Sequence, residues 1–241
     1  MNKRFEREAM LLGEEALMLL ASKRVALFGL GGVGSYAAEA LARSGVGHLT
    51  LVDHDVVSES NMNRQLCATD QTVGRLKVAV TSERLRTINP DLDIEERAEF
   101  FLPENAKDFD FSSYDYVIDA IDTVAGKIAI ARCACDAGVP MISCMGTGNK
   151  LDPTKLCVTD LAKTSTCPLA RVMRRELKAH GIMHLPVIYS TEVPRTPLFA
   201  PEGEEKRHTP GSVAFVPSVA GLIAASEAVK TLIQTEGENN E

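Results

Sequence analysis

Val25-Ala26-Leu27-Phe28-Gly29-Leu30-Gly31-Gly32-Val33-Gly34 decides the fold, because an apolar strand pattern runs straight into a glycine-rich turn that opens a helix near Ser35. Glycines permit a sharp turn and a close approach of backbone to an anion, and the free N–H groups of the helix start point at it. The next apolar strand, Leu49 to Val52, ends on Asp53, roughly 20 residues on, where a carboxylate can hold ribose hydroxyls. Gly29, Gly31, Gly32, Gly34 and Asp53 thus mark a nucleotide site. The plainer alternative is that the glycines serve only helix–strand packing and Asp53 only a turn.

The residues after Asp53 bear on which nucleotide. A nicotinamide dinucleotide carries two unreactive phosphates and needs little more than neutral backbone beside them. This chain adds Asp55, Asn61, Arg64 and Gln65 after the second strand, Lys77 in Gly74-Arg75-Leu76-Lys77-Val78, and Asp119-Ala120-Ile121-Asp122 at the end of Tyr116-Val117-Ile118. Two cations and a carboxylate at a strand end are what a triphosphate and its magnesium ion require, so the expected ligand is ATP. Taken singly, Asp122 is equally readable as a helix N-cap, and Arg64 and Lys77 as members of surface salt bridges.

The order GxGGxG, Asp-x-Asp (Asp53, Asp55), Asn-x-x-Arg-Gln (Asn61, Arg64, Gln65), Gly-x-x-Lys-Val (Gly74, Lys77, Val78) and Asp-x-x-Asp (Asp119, Asp122) resembles the adenylating E1-like, or ThiF/MoeB/HesA, superfamily. Within it, Met145 to Pro153, Thr159-Asp160-Leu161, Lys163-Thr164 and Cys167-Pro168-Leu169-Ala170 resemble the tRNA threonylcarbamoyladenosine dehydratases. The resemblance implies that a substrate carboxylate attacks the α-phosphorus of ATP, pyrophosphate leaves, and the acyl-adenylate closes a ring with net loss of water. Asp122 would hold magnesium, Arg64 and Lys77 would neutralise the phosphates, and Asp53 would bind the ribose. Arg4-Phe5-Glu6-Arg7 implies a homodimer in which Arg7, and less directly Arg4, reaches the partner's phosphates. The implied partners are the anticodon arm of tRNA, a second copy of the chain and a sulfur-transfer protein.

The runner-up is an adenylyltransferase that activates the C-terminus of a small sulfur-carrier or ubiquitin-like protein. Such relatives usually carry two Cys-x-x-Cys pairs on a structural zinc, whereas this chain has Cys133-x-Cys135, a spacing ill suited to tetrahedral zinc, so no zinc is expected. Cys167, ahead of Pro168 at a helix start, is a candidate relay thiolate against a plainer structural reading. A non-catalytic NAD-type protein or dehydrogenase is the third reading.

Alternation of strands and helices predicts a doubly wound, Rossmann-like α/β fold with a mainly parallel sheet, an N-terminal helix over 6–20 and a loop-rich C-terminal extension. At 241 residues, 45% apolar and 24% charged, the chain can bury one full core. It is expected as a single adenylating domain, with a nucleotide-binding core over 25–150 and a substrate-side extension with a C-terminal helix over 151–241. Further expectations are helices over 35–44, 76–87, 126–137 and 218–234, and strands over 93–96, 116–120, 141–144 and 213–216. A loop or lid is expected over 189–210, and a disordered acidic tail over 236–241.

No secretory signal precedes the six cysteines, which are expected as buried free thiols. The apolar run 213–233 is interrupted by Pro217 and Glu227 and does not read as a membrane span, so a cytoplasmic protein is expected. A net charge of −7 argues against nucleic acid globally. Locally, Arg171, Arg174, Arg175 and Lys178 fall at helical spacing, an RNA-facing surface or simply a solvated face. Arg195, Lys206, Arg207 and His208 in the proline-rich loop would add to it.

Overall fold

In the computed structural model, which describes residues 2–199 and 210–234, side chains alternate along β1 (Arg24–Phe28) between two cores. Val25 and Leu27 face one and Ala26 and Phe28 the other, as a strand period of two requires when both faces are covered. The remaining strands are β2 (His48–Val52), β3 (Asp93–Arg97), β4 (Tyr116–Asp119), β5 (Met141–Cys144), β6 (Leu156–Asp160) and β7 (Pro186–Ser190). They form one seven-stranded sheet in the order β3-β2-β1-β4-β5-β7-β6, with every pair parallel except the antiparallel edge strand β6 on β7.

The helices are α1 (Glu6–Leu12), α2 (Glu14–Ser22), α3 (Gly34–Arg43), α4 (Lys77–Ile88), α5 (Val124–Ala137), α6 (Pro168–Ala179) and α7 (Phe215–Ile233). Residues of α3 and α7 fill one core and those of α5 and α6 the other. Close approach of α3 to α7 depends on Gly221, where a Cβ would lie 2.2 Å from the Val33 carbonyl oxygen. By length and composition α7 could cross a bilayer, but half of it is buried here against the core.

The doubly wound expectation holds, and the differences have physical reasons. The N-terminal helix is broken at Gly13, whose φ of 87° and ψ of 158° only glycine adopts readily, so α1 and α2 meet there. The expected strand over 213–216 is absent: α7 already starts at Phe215, and Pro217 sits in its first turn, where no intrahelical N–H is needed. Both β6 and β7 were unforeseen, and Tyr189 and Ser190 belong to β7 rather than to a loop. Residues 191–199 form neither helix nor strand. Lys206, Arg207, His208 and the acidic tail lie outside the described residues. All six cysteines are free; Cys67, Cys144 and Cys167 are buried, but Cys135 is exposed.

Phe28 at the end of β1 stands against Phe101 (4.9 Å, edge to face), Phe109 (5.7 Å) and Phe111 (5.6 Å, stacked). At about 0.5–1.5 kcal/mol per aromatic pair beyond area burial, this cluster ties the segment after β3 to the strand that carries the glycine turn.

Candidate active site

Strand order reverses between β1 and β4, and in open α/β sheets the crevice at the strands' carboxyl ends there is where ligands bind. A cavity of about 530 Å³ opens at that point. Its lining includes Gly29, Gly31, Gly32, Asp53, Asp55, Asn61, Arg64, Gln65, Lys77 and Asp122. All of the expected cofactor-binding residues except Gly34 therefore meet in one cavity.

The glycines divide by task. A Cβ on Gly29, whose φ is 90°, would lie 2.8 Å from the Ala120 carbonyl oxygen, and one on Gly34 would lie 1.7 Å from the Gly29 carbonyl oxygen. These two close the turn against β4, the packing role weighed from sequence. Gly31 fronts the cavity, its nearest neighbour being the Gln65 side-chain amide at 3.8 Å from a hypothetical Cβ. Gly32 is tighter, with Pro217 3.1 Å from the same point. Asp53 fixes the turn from below: Oδ2 accepts the Leu30 N–H at 2.6 Å and Oδ1 the Asp55 N–H at 2.8 Å. A carboxylate has about four acceptor sites, so capacity remains for a ribose.

Lys77 is not a surface residue. It begins α4, is buried, and its Nζ lies 2.6 Å from Asp55 Oδ2. Arg64 is half-buried, donates Nη1 to the Ser60 carbonyl at 2.8 Å and Asn63 Oδ1 at 2.9 Å, and has no carboxylate partner among the described residues. Burial pulls its guanidinium below the usual arginine range, the electrostatic cost of a cation held against the cavity. Asn61 shapes the turn by accepting the Ser58 N–H. Gln65 Oε1 is buried with no hydrogen-bond partner among the described residues, an orphan that a bound ligand would satisfy.

Asp122 is exposed at the cavity and makes no hydrogen bond or ion pair among the described residues. The N-cap position of α5 belongs to Thr123, without a side-chain cap bond, so the capping alternative for Asp122 is not realised. A single free carboxylate facing a phosphate cradle fits magnesium, which is commonly held by one or two carboxylates plus substrate phosphates.

A neutral set shares the same lining: Met145, Gly146, Thr147, Gly148, Leu169, Pro210, Ser212 and Pro217, the last of them packed on Gly32. Cys144 also lines the cavity, and burial pushes its thiol up to about 12. The loop at 210–212 is stitched in place by hydrogen bonds. Asn149, in the left-handed region at φ 60°, donates its N–H to the Gly211 carbonyl and accepts the Gly211 N–H on Oδ1, both at 2.7 Å, while Asn63 Nδ2 donates to the Ser212 carbonyl at 2.9 Å. Lys150 is buried beside it with Nζ 3.1 Å from the Gly146 carbonyl oxygen; burial lowers its pKa, and the neighbouring Cys167 and Glu192 pull the other way. None of these roles was read from the sequence, and those of Asn149 and Asn63 depend on partners 62 and 149 residues away.

The four cations of the basic helix are not alike. Arg171, Arg175 and Lys178 on α6 are exposed, but Arg174 is half-buried, its Nη1 bonded to the carbonyls of Leu161 and Thr164 and to Thr164 Oγ1 at 2.6 Å. Arg174 therefore anchors the turn after β6 through Nη1. Arg7 is exposed on α1 and does not line the cavity. Phe5 beside it packs at Gly45, before β2, whereas the cavity follows β2, so roughly 17 Å of strand separates them.

The sequence pattern of the ThiF family matches residues 5–241. The tRNA threonylcarbamoyladenosine dehydratase of Bacillus subtilis (strain 168) is 42% identical over 240 residues, covering 95% of this chain and 94% of that protein. The crystal structure of the E. coli tRNA N6-threonylcarbamoyladenosine dehydratase TcdA in complex with ATP superposes with a TM-score of 0.87 at 38% identity, covering 96% of this chain and 94% of that one. The adenylyltransferase and sulfurtransferase uba4 of Aspergillus niger matches only 55% of this chain and 27% of its own length, at 38% identity. With its glycine turn, buried lysine and strand-end aspartate in one crevice, and with relatives alike almost from end to end, the chain belongs to the ThiF family.

Proposed function

We propose that the chain is an ATP-dependent tRNA threonylcarbamoyladenosine dehydratase that cyclises the modified adenosine through a carboxyl-adenylate. The observation that carries this reading is one cavity whose lining holds both the charged Arg64, Lys77 and Asp122 and a neutral set from Met145 to Gly148 with the strapped 210–212 loop. Arg64 and Lys77 draw charge from the phosphates as the substrate carboxylate attacks the α-phosphorus and pyrophosphate leaves. Asp53 holds the ribose, and Asp122 holds magnesium, which supplies charge neutralisation on the phosphate oxygens when bound. A nitrogen or oxygen of the same modification then attacks the activated carbonyl; AMP departs, one proton is released, and water is lost overall. Because this closure is intramolecular, positioning replaces a protein nucleophile.

The same reading makes the protein a cytoplasmic homodimer. Arg7 lies too far from its own cavity to touch phosphate, so its guanidinium serves the partner's site, as the family resemblance implies. The exposed cations Arg171, Arg175 and Lys178 bind the phosphates of the anticodon arm. A sulfur-transfer protein is a further partner on the same grounds of resemblance.

Incubation with ATP, magnesium and tRNA carrying threonylcarbamoyladenosine tests the proposal by nucleoside mass analysis. Loss of one water from that nucleoside, with AMP and pyrophosphate as products, is the expected result. An unchanged nucleoside, or ADP as product, overturns it.

A further inference from the structure

Behind Asp122 lies an ion pair that the adenylation chemistry does not itself use. Asp119 closes β4 and Lys127 stands in the first turn of α5; both side chains are fully buried, with Nζ 2.9 Å from Oδ2 and 3.0 Å from Oδ1. Lys127 Nζ also donates to the Ile121 carbonyl at 3.0 Å. The Ile121 N–H reaches Asp119 Oδ1 at 3.3 Å, and Ser143 Oγ on β5 donates to Asp119 Oδ2 at 2.5 Å. Every partner of the pair is thus on the turn from 119 to 123 or on the strand beside it. Gly126 lets the turn close, since a Cβ there would lie 2.6 Å from Ile121 Cδ1.

Stability does not account for such a cluster. The desolvation of two charges is at best offset by their attraction, and apolar residues of similar volume commonly do as well or better. What the ions provide is direction: three donors on Nζ and two carboxylate oxygens fix the backbone on both sides of Ile121, and the next residue is Asp122.

We propose that Asp119, Lys127 and Ser143 are positioning residues that hold the β4–α5 turn so that the Asp122 carboxylate meets the magnesium ion on the nucleotide phosphates. This rests on the assignment of magnesium to Asp122. None of the three lines the cavity; they act through the backbone of Ile121.

The test replaces the cluster by an apolar one, Asp119→Leu with Lys127→Met and Ser143→Ala, beside Asp122→Asn and the parent. Three quantities are read: the melting temperature, the magnesium concentration for half-maximal pyrophosphate release, and the affinity of Mn²⁺ for the protein–ATP complex by electron paramagnetic resonance. The expected result for the apolar cluster is a melting temperature at or above the parent's, a magnesium requirement raised at least about tenfold, and Mn²⁺ affinity lowered in parallel. A folded apolar variant with the parent's magnesium requirement and Mn²⁺ affinity overturns the inference, while the shift in Asp122→Asn still upholds the assignment of Asp122. Parent-like metal behaviour in Asp122→Asn overturns both. Should the triple variant not fold, Ser143→Ala alone decides, with a smaller rise in magnesium requirement expected and none overturning the inference.

Discussion

The charged and the neutral residues that line the cavity are brought there in opposite ways. The charged groups, Arg64, Lys77 and Asp122, come from segments that follow β2 or β4 or open a helix, and the glycine turn follows β1 at once. The neutral set is assembled from distant pieces: Asn149 is bonded to Gly211, 62 residues away, and Asn63 to Ser212, 149 residues away. Phosphate chemistry needs fixed charges, which a strand end and a helix start supply locally. Ring closure within one substrate needs a shaped wall, which only packed remote segments supply.

Asp122→Asn gives the largest expected effect. Because this carboxylate is exposed and unpartnered among the described residues, the variant should melt with the parent, yet adenylation should fall about 10²- to 10³-fold, the usual loss when a group stabilising developing charge is removed. Retained pyrophosphate release would break the contrast, because the charged set would then not be the reacting set.

Glycine replacements sharpen it next. Gly34→Ala puts a Cβ 1.7 Å from the Gly29 carbonyl oxygen, so the turn must shift at a cost of about 1–3 kcal/mol, lowering the melting temperature by several degrees and weakening ATP binding. Gly146→Ala in the neutral set meets nothing within 4 Å and should leave both unchanged. Calorimetry of the two variants with ATP separates the two sets directly.

On α6, Arg171→Ala, Arg175→Ala and Lys178→Ala together should weaken tRNA binding and lower its salt slope by about one for each phosphate that is no longer neutralised, with ATP affinity untouched. Arg174→Ala, which frees the Thr164 turn, should lower the melting temperature instead. Equal salt slopes in parent and triple variant would reduce α6 to a solvated face. The smallest effect is expected at Cys144. Burial raises its thiol to about 12, so it is protonated throughout the neutral range, and Cys144→Ala should keep its turnover from about pH 6 to 9; a loss confined to this variant would point to a thiolate step.

Sequence reading picked out residues that line one cavity because their signals are local. Four glycines after a strand, a carboxylate after the next, and Lys77 at a helix start are each bound to a chain position by backbone geometry. It failed after residue 150, where the edge strand β6 has no fully buried face to mark its period and β7 opens on Pro186, and it read Val213 to Val216 as a strand when Pro217 marks the first turn of α7. Arg174 shows the same limit within one helix: spacing put four cations on a face, but only the packing of α6 on the turn after β6 decided that one is bonded to that turn.

The sequence by itself determined the doubly wound class, the glycine turn and the charged groups around it, since strand period, glycine turns and helix starts act over a few residues. Tertiary structure alone decided that Lys77 is buried, that Lys127 and Asp119 stand behind Asp122, and that Asn149 and Asn63 strap the 210–212 loop in place. Burial and pairing are properties of what a side chain packs against, and those partners come together only when distant segments share one sheet.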